Sequence, residues 1–162
     1  MPVAIRRADL SDVAAMVAME RAAPGAAHWT AEQYEKLVGS GVVLLAELGG
    51  DERSAGKESK QRGTVCGFIC AAVVAGEWEL ENVVVASEFL RRGIADELML
   101  GLIEQARSEG GSAILLEVRE SNRAARGLYA KHSFCEEGRR RLYYDDPAED
   151  AILYRLSLAG CY

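Results

Sequence analysis

Glu117 and Tyr129 are the side chains best suited by type and setting to move protons. Glu117 interrupts the apolar run ILLEVR, where alternation sets it opposite Leu116 and Val118. A carboxylate partly withdrawn from water holds its proton more tightly, which suits a general base. The same residue could instead face solvent, or pair with Arg119 on its own face of the strand. Tyr129 lies about two helical turns beyond Asn122, a good N-cap residue. Its phenol could protonate a departing group, or its ring could simply pack on a sheet.

A second chemistry is anion binding. The turn Arg91-Arg92-Gly93-Ile94-Ala95 separates the apolar run Val83-Val84-Val85 from a long amphipathic segment. A helix N-terminus offers unpaired N–H groups and the positive end of a dipole. Glycine lets that backbone approach a pyrophosphate, and the two arginines add charge. A solvated helix start is the plainer reading of the turn alone. The acid, the cap and the phenol downstream favour the phosphate reading.

These residues need elements to position them. VAIRRA (3–8) reads as a first strand, and Ser11 and Asp12 open a helix carrying Val13, Met16, Val17 and Met19, ended by Pro24 and Gly25. Thr30 starts a second helix, with Gln33 completing a capping box. Val42–Leu48 is a strand, and the polar stretch 49–62 is an exposed hairpin loop. VCGFICAAVV and WELENVVV are strands joined at Gly76. A helix over 92–109 is stopped by Gly110 and Gly111. SAILLEVR is a strand, 122–132 a helix, and 134–144 with 149–158 a last strand pair around DDPAED. The order implies an α/β (α+β mixed) fold: a mixed sheet with helices on its faces. There is no repeat and no linker, so 1–162 reads as a single domain.

The 162 residues suffice for one core, and the net charge of -6 argues against a nucleic-acid partner. The charge is compatible with a cationic acceptor such as an amine or a basic peptide. The apolar runs are too short to span a membrane, and MPVAIRRADLSD lacks the apolar core of a secretory leader. A cytoplasmic protein is expected. Cys66, Cys70, Cys135 and Cys161 form no CxxC pair, and His28 and His132 are the only histidines, so no metal site is expected. Cys66 and Cys70 share a strand face and read as buried thiols.

The turn and its preceding strand resemble motif A of the GNAT N-acetyltransferases, Gln/Arg-x-x-Gly-x-Gly/Ala. Gly93 and Ala95 match, whereas Leu90 departs from the first position. LEVRESNRAARGLYAKHSF, followed by RRRLYYDDPAEDAILY, resembles the RimI-type ribosomal-protein alanine N-acetyltransferases. IRRADLSDVAAMVAMERA and HWTAEQY extend the likeness toward the N-terminus. Ala86-Ser87, His132-Ser133-Phe134 and the long 49–62 loop depart from that branch.

The resemblance implies a GNAT-like fold, with a mostly antiparallel sheet of about seven strands flanked by about four helices. It implies acetyl-CoA as co-substrate, with the backbone of Val83, Val84 and Val85 pairing its pantetheine arm and acetyl group. Arg91, Arg92, Gly93, Ile94 and Ala95 would hold its pyrophosphate, and Asn122 would contact it. Glu117 corresponds to the general base, acting directly or through water, and Tyr129 to the acid at the CoA sulfur. The implied acceptor is the N-terminal α-amine of a protein, with a ribosomal protein as candidate partner. A lysine side chain or a small amine is the alternative acceptor, and a non-catalytic acyl-CoA-binding module the alternative class. Trp29, Tyr34, Tyr143 and Tyr144 are candidate aromatic walls of an acceptor groove, with Asp145, Asp146, Glu149 and Asp150 as its acids.

Overall fold

The computed structural model describes residues 3–23, 28–49 and 62–158. Pro24, Gly25, Cys161 and residues 50–61 of the expected loop lie outside the described residues. The strands are β1 (Val3–Arg7), β2 (Val42–Leu48), β3 (Thr64–Val74), β4 (Glu77–Val85), β5 (Ala113–Arg119), β6 (Cys135–Tyr144) and β7 (Glu149–Ser157). The helices are α1 (Val13–Ala22), α2 (Ala31–Ser40), α3 (Ile94–Ser108) and α4 (Arg123–Lys131). The expected mixed architecture is present. The strands hydrogen-bond in the order β1-β2-β3-β4-β5-β7-β6. The β4–β5 pair is parallel, and the β1–β2, β2–β3, β5–β7 and β6–β7 pairs are antiparallel.

By contacts the chain forms two compact units: Met1–Ala72 with Glu81–Leu102, and Val73–Leu80 with Ile103–Tyr162. β4 and α3 each contribute to both. In the first unit, α1 and α2 bury Val13, Met16, Val17, Tyr34 and Leu37 with Val43, Leu45, Phe68, Cys70 and Val84 of the strands. α3 closes on Gly67, where an added Cβ would sit 3.3 Å from Ile94 and Leu98. In the second unit, Trp78, Ile114, Leu116, Phe134, Ile152 and Tyr154 are buried.

Local signals decide the element ends. Thr30 and Gln33 form the expected reciprocal cap, with the Gln33 N–H on Thr30 Oγ1 at 3.3 Å and the Thr30 N–H on Gln33 Oε1 at 2.8 Å. The opening of α1 adds a turn to the expected start. Asp9 caps a 3-10 turn over Leu10–Asp12, and α1 begins at Val13 with Asp12 at its N-cap. Asp12 is drawn into this turn because its carboxylate accepts both the Asp9 N–H and the Arg6 guanidinium. α3 starts at Ile94 rather than 92, because Arg91 and Gly93 adopt φ of 62° and 77° and cannot be helical. Its end is as expected at Gly110, which has φ of 73°. Gly111 serves packing instead: a Cβ there would lie 3.0 Å from both the Ala106 carbonyl and the Trp78 indole nitrogen.

Candidate active site

The first unit carries the anion-binding features. Val84 is buried in the core, while Val83 and Val85 are half-buried. The ladder of β4 with β5 covers only Glu77–Glu79, so Val83, Val84 and Val85 lie beyond it. After β4 the chain makes a 3-10 turn at Ser87–Phe89, then exposes Leu90, Arg91, Arg92 and Gly93. Gly93 combines its left-handed φ with open space, since an added Cβ would meet nothing within 4 Å. The first helical bond of α3 runs from the Glu97 N–H to the Gly93 carbonyl at 3.1 Å. The N–H groups of Ile94 and Ala95 precede it and have no helical acceptor. The Arg92 guanidinium lies 5.5 Å from the Phe89 ring centre. Bare backbone, helix N-terminus and two exposed guanidinia fit a pyrophosphate.

The second unit carries Glu117 and Tyr129, the two side chains whose types suit proton transfer. Glu117 opposes Leu153 of β7, which in turn opposes Gly138 of β6. Two residues along β6, Arg140 reaches back on the same face and pairs with Glu117 at 3.2 Å. The Glu117 side chain is 30% exposed, so the desolvation expected from its apolar strand is not realised. Arg119 is not its partner. That guanidinium lies 4.3 Å from the Tyr144 ring centre and pairs with Glu149 at 3.4 Å.

Tyr129 is 8% exposed and packs against Phe134 and Tyr154 at ring separations of 5.7 and 5.8 Å. Burial, helped by the neighbouring Tyr144 and Tyr154 phenols, pushes its hydroxyl up to about 12. The phenol therefore keeps its proton through neutral pH. Tyr144 is pushed up as well, by burial first and then by the Glu117 carboxylate. In the second unit Tyr144 thus feels Glu117 and is felt by Tyr129. Asn122 caps α4, accepting the Ala125 N–H at 3.1 Å.

The aromatic residues divide. Tyr143 is 48% exposed and meets the half-buried Tyr144 edge-on at 5.1 Å. Trp29 is half-buried. Tyr34 is not a groove wall: it is fully buried, between Trp29 at 5.4 Å and Phe68 at 5.5 Å. Its hydroxyl accepts from Asn82 Nδ2 at 3.1 Å, and burial pushes it well above the ordinary phenol range. Among the acids, Glu149 and Asp150 are engaged by Arg119 and Arg139.

Glu20, Asn82 and Arg140 escaped the sequence reading. Glu20 is fully buried although ionisable. The available signal was its place on the apolar stripe of α1, in step with Val13, Met16 and Val17. Asn82 stood out only as an amide beside three valines. Cys66 and Cys70 are buried and free, as expected, and burial raises both thiols. Among the described residues no His/Cys/Asp/Glu group is arranged to hold a metal, and no helix is long and apolar enough to cross a membrane.

Comparison with known proteins adds three findings. A family model for the acetyltransferase (GNAT) family matches residues 7–134. The ribosomal protein bS18-alanine N-acetyltransferase of Escherichia coli strain K12 is 36% identical over 110 residues, covering 67% of this chain and 74% of that protein. Among solved structures, the ribosomal-protein-S18-alanine N-acetyltransferase from Escherichia coli matches with a TM-score of 0.81 at 26% identity, over 99% of this chain and 97% of that one. An Arabidopsis thaliana NAA60 structure in complex with acetyl-CoA shares the fold, with a TM-score of 0.81 at 18% identity over 98% of this chain and all of that one, 100%.

Proposed function

The chain belongs to the GNAT acetyltransferase family and is an acetyl-CoA-dependent N-acetyltransferase; from that premise we propose that its acceptor is the N-terminal α-amine of a protein, with a ribosomal-protein alanine as the leading candidate. The observation that carries this reading is the 36% identity, over 110 residues, to an enzyme named for bS18-alanine acetylation. In this reading 1–162 is one N-acetyltransferase domain.

The chemistry distributes over named groups. The backbone of Val83, Val84 and Val85 pairs with the acyl arm of acetyl-CoA. Arg91, Arg92, Gly93, Ile94 and Ala95 hold its pyrophosphate, and Asn122 adds a contact while capping α4. Glu117 takes a proton from the acceptor ammonium, directly or through water, so that the nitrogen lone pair can attack the acetyl carbonyl. The N–C bond forms and the C–S bond breaks. Tyr129, protonated at neutral pH, gives its proton to the departing sulfur, and the second proton shed by the nitrogen as the amide forms restores the phenol. Arg140 keeps the Glu117 carboxylate oriented between turnovers. Trp29, Tyr143 and Tyr144 form the acceptor's aromatic surroundings, and an acidic chain favours encounter with a basic peptide.

The test is acetyl-CoA-dependent CoA release with two short basic peptides of one sequence. One has a free N-terminal alanine; the other has that amine blocked and keeps its lysines. Turnover of the free-ended peptide alone is expected. Turnover of the blocked peptide at an equal rate would replace the Nα reading with lysine acetylation.

A further inference from the structure

Within the first unit, one buried acid has no part in the chemistry above. Glu20 is 0% exposed at the end of α1, on the stripe where an apolar residue would complete the core. Among the described residues its hydrogen-bond partners are neutral. Its two carboxylate oxygens accept the Trp29 N–H at 3.2 and 3.1 Å, and Oε1 also accepts Asn82 Nδ2 at 3.2 Å. The Tyr34 hydroxyl completes the group, accepting from Asn82 Nδ2 at 3.1 Å. Burying a carboxylate among neutral donors is costly compared with an apolar residue of similar size. The observed contacts give that cost a use.

The hydrogen bonds of Glu20 join two segments, alongside the contacts that Tyr34 makes with both. On one side is Trp29, fixed by its backbone N–H to Glu20 and by its ring to Tyr34. On the other is Asn82 of β4, whose amide reaches Glu20 and Tyr34 and whose carbonyl accepts the Cys70 thiol at 3.8 Å. Asn82 immediately precedes Val83, Val84 and Val85. We propose that Glu20 is a positioning residue for the acceptor: its buried carboxylate clasps Trp29 to β4, holding the acceptor's aromatic wall in register with the strand that takes the acyl arm. This rests on the reading of Trp29 as an acceptor-side residue.

The experiment uses the full chain and two variants. Glu20→Leu keeps volume and removes every acceptor oxygen; Glu20→Gln leaves one carbonyl oxygen for the Trp29 N–H. Steady-state kinetics are run with both peptides described above and with varied acetyl-CoA, alongside hydrogen exchange at the Trp29 amide. For Glu20→Leu the expected result is a peptide KM raised about ten-fold, with acetyl-CoA KM and kcat within about two-fold, and Trp29 exchange at least about ten-fold faster. Glu20→Gln falls between this variant and the parent.

A peptide KM within two-fold of the parent, or acetyl-CoA and peptide KM rising together, overturns the proposal. Should Glu20→Leu fail to fold, Glu20→Gln carries the same split at about three-fold. If the parent turns over only the lysine peptide, the Nα reading fails, while the KM split on that peptide still tests Glu20. If neither peptide is used, Trp29 exchange decides, and unchanged exchange in both variants sinks the clasp.

Discussion

Each unit of the molecule contains an acid and a buried phenol, and the two pairs live under opposite conditions. In the first unit Glu20 and Tyr34 are both fully buried and joined through Asn82. In the second, Glu117 keeps a side chain 30% exposed against Arg140, while Tyr129 is buried among aromatic rings. The first pair has neutral partners and every oxygen engaged. The second has a cation on the acid and a proton that burial holds on the phenol. An enclosed network rigidifies, whereas an acid near water can exchange protons with an acceptor. In the proposed reading, chemistry belongs with the second pair and geometry with the first.

The sharpest way to break this contrast is to remove each acid's charge and compare. Glu117→Gln should lower kcat by about 10²–10⁴-fold, with acetyl-CoA binding retained by calorimetry. Glu20→Gln should leave kcat nearly intact. Equal losses in the two variants would mean that the second acid has no special role. The phenols give a smaller version of the same test. Tyr129→Phe should slow single-turnover acetyl transfer by about 10–100-fold while the fold is kept. An unchanged rate would leave Tyr129 as an aromatic of the core and nothing more.

Asp12 sharpens the comparison from a third side, as a buried acid that does have a cation. It is 4% exposed and accepts Arg6 at 2.9 Å through both oxygens, while Arg6 also pairs with Glu47. Hydrogen bonding to Arg6 holds the Asp12 carboxyl below its ordinary 3.8. A depressed folded value means that this stabilisation is complete above the unfolded value and is lost as pH falls through the folded one. Asp12→Asn should cost about 2 kcal/mol at neutral pH by denaturant unfolding, and that difference should shrink below pH 3.8. A pH-independent difference would assign the loss to packing rather than charge.

How much of this could be read in advance depends on the range of the interaction. The Thr30–Gln33 cap spans three residues and the φ-positive Gly110 stop is local, so both are legible in the chain. The glycine turn ahead of α3 is local as well, with Gly93 at a left-handed φ. Glu20 and Asn82 are 62 residues apart, and no periodicity announces that pairing. Alternation in ILLEVR correctly separates Glu117 from Leu116 and Val118. It says nothing of Arg140, which arrives from β6 past Gly138. Tyr34 shows the same limit: an aromatic on a short amphipathic helix can line a groove or fill a core, and only the position of Phe68 decides.

The smallest expected effect concerns the first unit's other proposed task, holding the cofactor's phosphates. Leu90 stands where the family pattern has Gln or Arg, and it is 56% exposed with an extended backbone at φ -64°, ψ 151°. Its side chain supports no core, so Leu90→Arg should fold normally. A third guanidinium beside Arg91 and Arg92 should tighten acetyl-CoA about two- to five-fold at low salt, the range of an exposed charge pair. The gain should fade as ionic strength rises, because the new charge is in water. Calorimetric Kd values at two salt concentrations read both effects. A tightening that ignores salt would point to packing rather than charge. No tightening at all would mean that the backbone N–H groups at Ile94 and Ala95 already do most of the holding, and that Leu90 is tolerated for that reason.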